Sequence, residues 1–237
     1  MDHLVPELPA LRMEQDPIPR HKDVLSHTIA VVAKTEPEIT VRLAALFHDI
    51  AKPRTRSFDH GGVTFRHHEV VGARMARTRL TAMGYSDGVV DDVCEMVRLS
   101  GRFKGYAEGW SDAAVRRYAR DAGPLLGRLN HLIRCDCTTR NRDKAAGIQA
   151  LMDDLEARIA ELAEEARRAV SNGTAMGRDQ RSLVLAFGDP FGDQAPCDGI
   201  RSRPLGDAGA AGGQFSAGEP AGVFQFVHIR GDVLGQC

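Results

Sequence analysis

The chain has 237 residues, a formal net charge of −1 and only 5% aromatic residues. A near-neutral balance excludes wholesale electrostatic attraction to nucleic acid or to an anionic membrane, so only local clusters of one sign could do such work. The five cysteines are an odd number without disulfide-framework spacing, and no apolar run approaches the roughly 20 residues a membrane span needs.

The first residues, MDHLVPELPALRMEQD, are too acidic and proline-broken for a signal peptide. The expectation is a soluble cytoplasmic protein with reduced thiols and no membrane partner. Residues 1–20 read as an extended lead-in, because Pro6, Pro9, Pro17 and Pro19 oppose helix. Asp23 is placed to cap a first helix to about Lys34. A second helix is predicted from about Glu38 to Ala51, with Pro53 as its stop. Residues 54–66 contain the turn pair Gly61-Gly62 and read as a loop or short hairpin. A third helix should open at His67 and stop at Gly84, and a fourth should cover about Asp87 to Leu99.

Ser111 and Asp112 suit the cap of a fifth helix to about Asp121. Pro124 suits the first turn of a sixth, ending at Asp136. A long helix follows from about Asn141 to Val170. Its apolar positions Ile148, Leu151, Leu155, Ile159 and Leu162 step by three and four. That stripe fits packing on the chain's own core, the alternative being a dimer seam. More than half of the 24 glycines lie beyond Ser171. The expected organisation is a lead-in over 1–20, a helical domain over 21–140, the long helix over 141–170, and a mostly disordered, Gly-rich tail over 171–237.

Chemistry concentrates around Leu46-Phe47-His48-Asp49-Ile50-Ala51-Lys52-Pro53. A catalytic divalent ion needs several converging nitrogen and oxygen ligands and one position left for water. Adjacent residues within a helix diverge by about 100°, but at a helix end His48 and Asp49 can both reach one ion. His27 would come from the preceding helix and Asp136 from the end of the sixth. Taken singly, His27 could be a core histidine, Asp49 a cap and Asp136 a surface carboxylate. Cys135 and Cys137 could be core residues or a zinc pair, although no second thiol pair completes such a site. His67 and His68 open a helix whose N–H groups could meet a phosphate. Lys52, Arg54 and Arg56 could hold a phosphodiester against the ion, or form a solvated loop. Arg140, Arg142 and Lys144, in the run DCTTRNRDK, are candidate contacts to an RNA backbone.

The pattern His27, His48-Asp49, His68, Asp136 resembles the HD superfamily of metal-dependent phosphohydrolases. VPELPALRMEQD, RHKDVLSHT, LAALFHDIAKPRTR, VTFRHHEVVGARMARTRL and DCTTRNRDK together resemble the C-terminal half of bacterial CCA-adding tRNA nucleotidyltransferases, of the actinobacterial type often labelled poly(A) polymerase. The resemblance covers about residues 1–166. It implies an all-α HD-domain bundle, metal ligands at His27, His48, Asp49 and Asp136, and helices that help to hold tRNA. His68 matches the family's histidine. Ala51 stands where many members carry glycine, and Arg66 where relatives often carry another histidine. Nothing before His21 has the Gly-rich strand-turn and carboxylate pair of a nucleotidyltransferase head, so CCA addition by this chain alone is not expected.

Two functions follow as expectations. One is a divalent-metal phosphohydrolase acting on nucleotide or RNA-end phosphates, with Asp49, Lys52 and His68 as its catalytic groups. Mixed imidazole and carboxylate ligands suit Mn, Fe, Co, Ni or Zn, and Mg less well. The other is a tRNA-binding module without catalysis, using Lys52, Arg54, Arg56, Arg140, Arg142 and Lys144.

Overall fold

The computed structural model describes residues 4–13, 23–59 and 62–172. Within them the architecture is the all-α bundle expected, with one small hairpin inserted. The helices are α1 (Val24–Lys34), α2 (Ile39–Phe47), α3 (Lys52–Thr55), α4 (His68–Ala82), α5 (Asp87–Leu99), α6 (Asp112–Ala122), α7 (Leu126–Asp136) and α8 (Arg142–Ser171). The hairpin pairs β1 (Arg56–Asp59) with β2 (Gly62–Phe65) in antiparallel register.

The caps read from sequence are made. Asp23 Oδ1 accepts the Ser26 N–H at 2.9 Å, the Ser111 side chain accepts from Ala114, and Asn141 Oδ1 accepts from Lys144 at 2.9 Å. Such caps satisfy N–H groups that a helix start leaves without partners.

Three local expectations are corrected. The lead-in is not wholly extended: Leu8–Leu11 forms a 3₁₀ turn with a proline in its first turn, and Val5, Leu8 and Leu11 are buried. Proline opposes a helix interior but is tolerated where the N–H has no partner. The same physics moves the end of α2. It stops at Phe47, the chain turns through 48–51, and Pro53 lies in the first turn of α3 rather than closing α2. The α4 helix begins at His68, because His67 adopts a left-handed φ of 61°. A further 3₁₀ segment, Arg102–Glu108, and a short one at Gly123–Leu125 carry little periodic signal in the sequence.

The core lies between α2, α4, α5 and α7, with α1 covering α2 and α7. Phe47, Ile50, Leu80, Met96, Leu99, Leu129 and Leu132 are among its fully buried side chains. The apolar stripe of α8 faces this chain's own bundle. Leu155, Ile159 and Leu162 are buried together with Met152, while Ile148 and Leu151 are half-buried. The helix packs on α6, α7 and the 102–108 segment, so the greater part of the stripe is covered by the chain's own bundle.

A buried polar relay fixes α8 in register. The Tyr118 hydroxyl of α6 donates to Asn130 Oδ1 of α7 at 2.7 Å, and Asn130 Nδ2 donates to Glu156 Oε1 of α8 at 3.0 Å. Arg134 then donates to Glu156 and to Asp153, each at 2.6 Å. Tyr118→Phe would leave the Asn130 oxygen buried without a donor, a loss of about 1–3 kcal/mol. Urea unfolding of that variant should show a lower midpoint at unchanged m-value; an unchanged midpoint would remove the relay from the account of the fold.

Candidate metal centre

His48 and Asp49 occupy the turn between α2 and α3, where the chain leaves one helix inside the core. The carbonyls of a last helical turn have no intrahelical partner, and Ala45 offers one to His48. The His48 Nδ1–H donates to that oxygen at 2.7 Å. This fixes the tautomer and leaves Nε2 as the ring atom that faces the cluster. His27 is held comparably, with Thr138 Oγ1 2.8 Å from its Nδ1. Thr138 follows the end of α7, and the Lys34 ammonium donates to the Cys137 carbonyl beside it. The C-terminus of α7, with Asp136, is thereby tied to α1.

The functional atoms converge. His27 Nε2 and His48 Nε2 are 3.4 Å apart, and Asp136 Oδ1 is 2.9 Å from the first and 3.5 Å from the second. Asp49 Oδ2 lies 3.2 Å from His48 Nε2 and 3.6 Å from His27 Nε2. An ion bonded at about 2.1 Å keeps neighbouring ligands roughly 3.0–3.4 Å apart, across octahedral to tetrahedral geometry. The donor set and its spacing therefore fit a divalent ion, and His27, His48 and Asp136 form a candidate site for one. The side chains of His48 and Asp49 are 5% and 4% exposed, whereas that of Asp136 is 37% exposed. The cluster is sealed on its α2 side and open at Asp136.

The charges are strongly coupled. Burial disfavours an imidazolium at His48, but the carboxylates of Asp49 and Asp136 outweigh it and raise its pKa to about 10. Burial pushes Asp49 up, and His48 with Lys52 nevertheless holds it far below the usual carboxylate range. Asp136 shows the same contest, won by His27 and His48.

Two more candidates sit beside the cluster. Lys52 is buried, and its ammonium donates to Asp49 Oδ2 at 2.7 Å, so it belongs to the site and not to a solvated loop. His68 is buried, donates from Nδ1 to the Phe65 carbonyl at 2.7 Å, and faces Asp49 Oδ1 with Nε2 at 3.6 Å. Burial favours its neutral form, against the opposing influence of that carbonyl, Glu69 and Asp49. Glu69 is pressed against Gly101, where a Cβ would fall 2.0 Å from its carboxylate oxygen. The remaining basic candidates stand outside the cluster. Arg54 and Arg56 are exposed on α3 and β1, and Arg140, Arg142 and Lys144 are exposed around the start of α8. His67 is exposed and is the N-cap of α4, with a left-handed backbone and no side-chain capping bond.

Sequence reasoning passed over Thr138 and the Ala45 carbonyl. The second was implied by position, three residues before a histidine at a helix end. The first had a weaker signal, a hydroxyl two residues after a candidate ligand.

The family model described as "HD domain" matches residues 24–166. The chain belongs to the HD-domain family. The chain is 37% identical over 182 residues to the CC-adding tRNA nucleotidyltransferase of Thermus thermophilus, an alignment covering 70% of this chain and 41% of that relative. The chain thus spans well under half the length of the curated relative it matches. HD domains typically bind divalent metal ions, in keeping with the donor set described. Among the described residues no helix is long and apolar enough to cross a membrane.

Two outcomes are expected for metal uptake. The neighbouring carboxylates favour the protonated form of His48, which an ion binding there would have to displace. Affinity should therefore rise with pH up to about 10, and calorimetry at pH 7 in buffers of different ionisation heat should read close to one proton released. No proton release would contradict the charge state given to His48. Thr138→Val, which removes the hydroxyl beside His27, should weaken binding by about tenfold or more, and His48→Ala should abolish it. Elemental analysis after dialysis checks both.

Proposed function

We propose that this HD domain hydrolyses phosphate esters of nucleotides or RNA ends, with His27, His48, Asp49 and Asp136 as the protein ligands of a divalent ion. The mixed donor set suits Mn, Fe, Co, Ni or Zn better than Mg. When bound, such an ion supplies Lewis acidity, lowering the pKa of water in its open position and drawing charge from a phosphoryl oxygen.

The observation that carries the reading is the division of labour on Asp49. Its Oδ2 is shared by His27, His48 and Lys52, while its Oδ1 faces His68. The Oδ1 edge is thus placed to orient a water and to take its proton as the oxygen attacks phosphorus and the ester P–O bond breaks. Lys52 holds the carboxylate in place and presents positive charge to the phosphoryl oxygens. His68, neutral at rest, gains a proton when an anionic phosphate settles against it and then offsets charge on the same oxygens. The exposed side at Asp136 is the way in.

A second reading, tRNA holding, is supported by two observations. The relative is named as a tRNA nucleotidyltransferase, and Arg140, Arg142 and Lys144 form an exposed basic run directly after Thr138. Phosphate contacts from these residues and from Arg54 and Arg56 would give salt-sensitive binding with little base preference.

Metal-loaded protein should hydrolyse 2′,3′-cyclic nucleotides or 3′-phosphorylated oligoribonucleotides, and Asp49→Ala should reduce the rate by at least about a hundredfold. Failure to turn over either substrate with any of the named metals would sink the hydrolase reading. Filter binding of tRNA should weaken steeply with added salt and be lost in the double variant Arg140→Glu/Arg142→Glu, with metal content unchanged. Salt-independent binding, or binding that survives the double change, would place any RNA surface elsewhere.

A further inference from the structure

The hairpin between α3 and α4 has two unlike faces. Residues opposite one another in an antiparallel pair share a face. Ser57 pairs with Thr64, and their hydroxyls are 2.7 Å apart. The other face carries Arg56 opposite Phe65 and Phe58 opposite Val63. On that face cations and rings alternate outward from the metal centre. The Lys52 ammonium, bonded to Asp49 at 2.7 Å, lies 5.6 Å from the Phe65 ring centroid. Arg56 stands across the strand from Phe65, and its guanidinium lies 4.9 Å from the Phe58 ring centroid. The series ends on Phe58, which is 73% exposed. A ring so exposed at the end of a short strand gains nothing from the core, and aromatics are only 5% of the chain.

We propose that Phe58, with Arg56, is a stacking platform for a nucleobase of a single-stranded RNA end whose phosphate lies at the metal centre. The inference rests on the hydrolase reading above and names the substrate feature that the same site recognises.

Three considerations favour this occupant. Aromatic rings backed by arginine are what unpaired bases stack on, and the interaction tolerates any base because every base has a π-face. The hairpin and its flanks present exposed Arg54, Arg56 and Arg66, which complement a phosphate backbone and would repel a cationic partner. The ladder is also continuous with the centre: Phe65 touches the lysine that holds Asp49, and Phe58 lies about 7 Å further along the strands, two residues at the usual rise. A substrate anchored by its phosphate at the metal centre would pass its neighbouring nucleotide over this face.

The test uses the full chain, metal-loaded, with fluorescently labelled short single-stranded oligoribonucleotides, one natural and one abasic at the residue next to the terminal phosphate. Phe58→Ala should weaken binding of the natural oligonucleotide by about tenfold or more, and Phe58→Trp should restore it. The abasic oligonucleotide should bind wild type and Phe58→Ala alike. Thermal melts should be unchanged, since the ring is outside the core. A mononucleotide compared with the oligonucleotide tells which source of base and phosphate the platform takes: a Phe58 effect confined to the mononucleotide would overturn the RNA-end assignment. Equal binding of natural and abasic oligonucleotides by wild type, or a Phe58→Ala variant altered only in self-association, would overturn the platform itself. Turnover is scored separately. Phe58-dependent binding without hydrolysis by wild type would reject the hydrolase reading while keeping the platform, and hydrolysis insensitive to Phe58 would do the reverse.

Discussion

The buried carboxylate of Asp49 is the constraint on which the rest of the architecture depends. An ionised carboxylate out of water is costly unless cations and hydrogen bonds meet it. Here Lys52, His48 and His27 all meet one of its oxygens. Asp136 adds a second negative charge to the same pair of imidazoles. Without a metal the protonated His48 and the Lys52 ammonium balance the two carboxylates, so the cluster is close to neutral as folded. The helices around it do what this arrangement requires. The α1 helix brings His27, the early end of α2 turns His48 and Asp49 inward together, and α7 delivers Asp136 at its last residue.

Small zinc modules fold only when metal arrives. In this chain a continuous apolar core runs from Leu8 and Leu11 through Phe47, Ile50, Met96 and Leu129 to Leu155 and Leu162, and it supplies the burial that holds the ligands in place.

Much of this was legible in the sequence wherever the signal was local. Asp23, Ser111 and Asn141 cap the helices they precede, because a short polar side chain before an apolar period has few other uses. The convergence of His27, His48 and Asp136 was legible because they fall among apolar neighbours at helical positions or helix ends. The illegible parts depend on three-dimensional company. Pro53 reads as a stop from the sequence, and only the turn at 48–51 shows that it is a start. Lys52 reads both as a catalytic group and, with Arg54 and Arg56, as part of a phosphate-holding or solvated run, and only the structure separates it from them: Lys52 is buried on Asp49 while Arg54 and Arg56 face solvent. Thr138 acts on a residue 111 positions away, a distance no periodicity can bridge. The short hairpin is one of two readings of residues 54–66, but its register and its two unlike faces were not legible, because alternation over four residues is too short to separate from chance and the Gly61-Gly62 pair leaves the turn type open.

The clasp of Arg134 on α8 has a mechanical meaning. Arg134 grips Gln149, Asp153 and Glu156, which lie in the first half of a helix of 30 residues, about 45 Å long at the usual rise. Asp136 is two residues beyond Arg134 on the same short helix. The long helix is therefore geared to the solvent-facing ligand of the cluster. A shift of α8 along its axis would be felt at the exposed rim of the cluster, at Asp136.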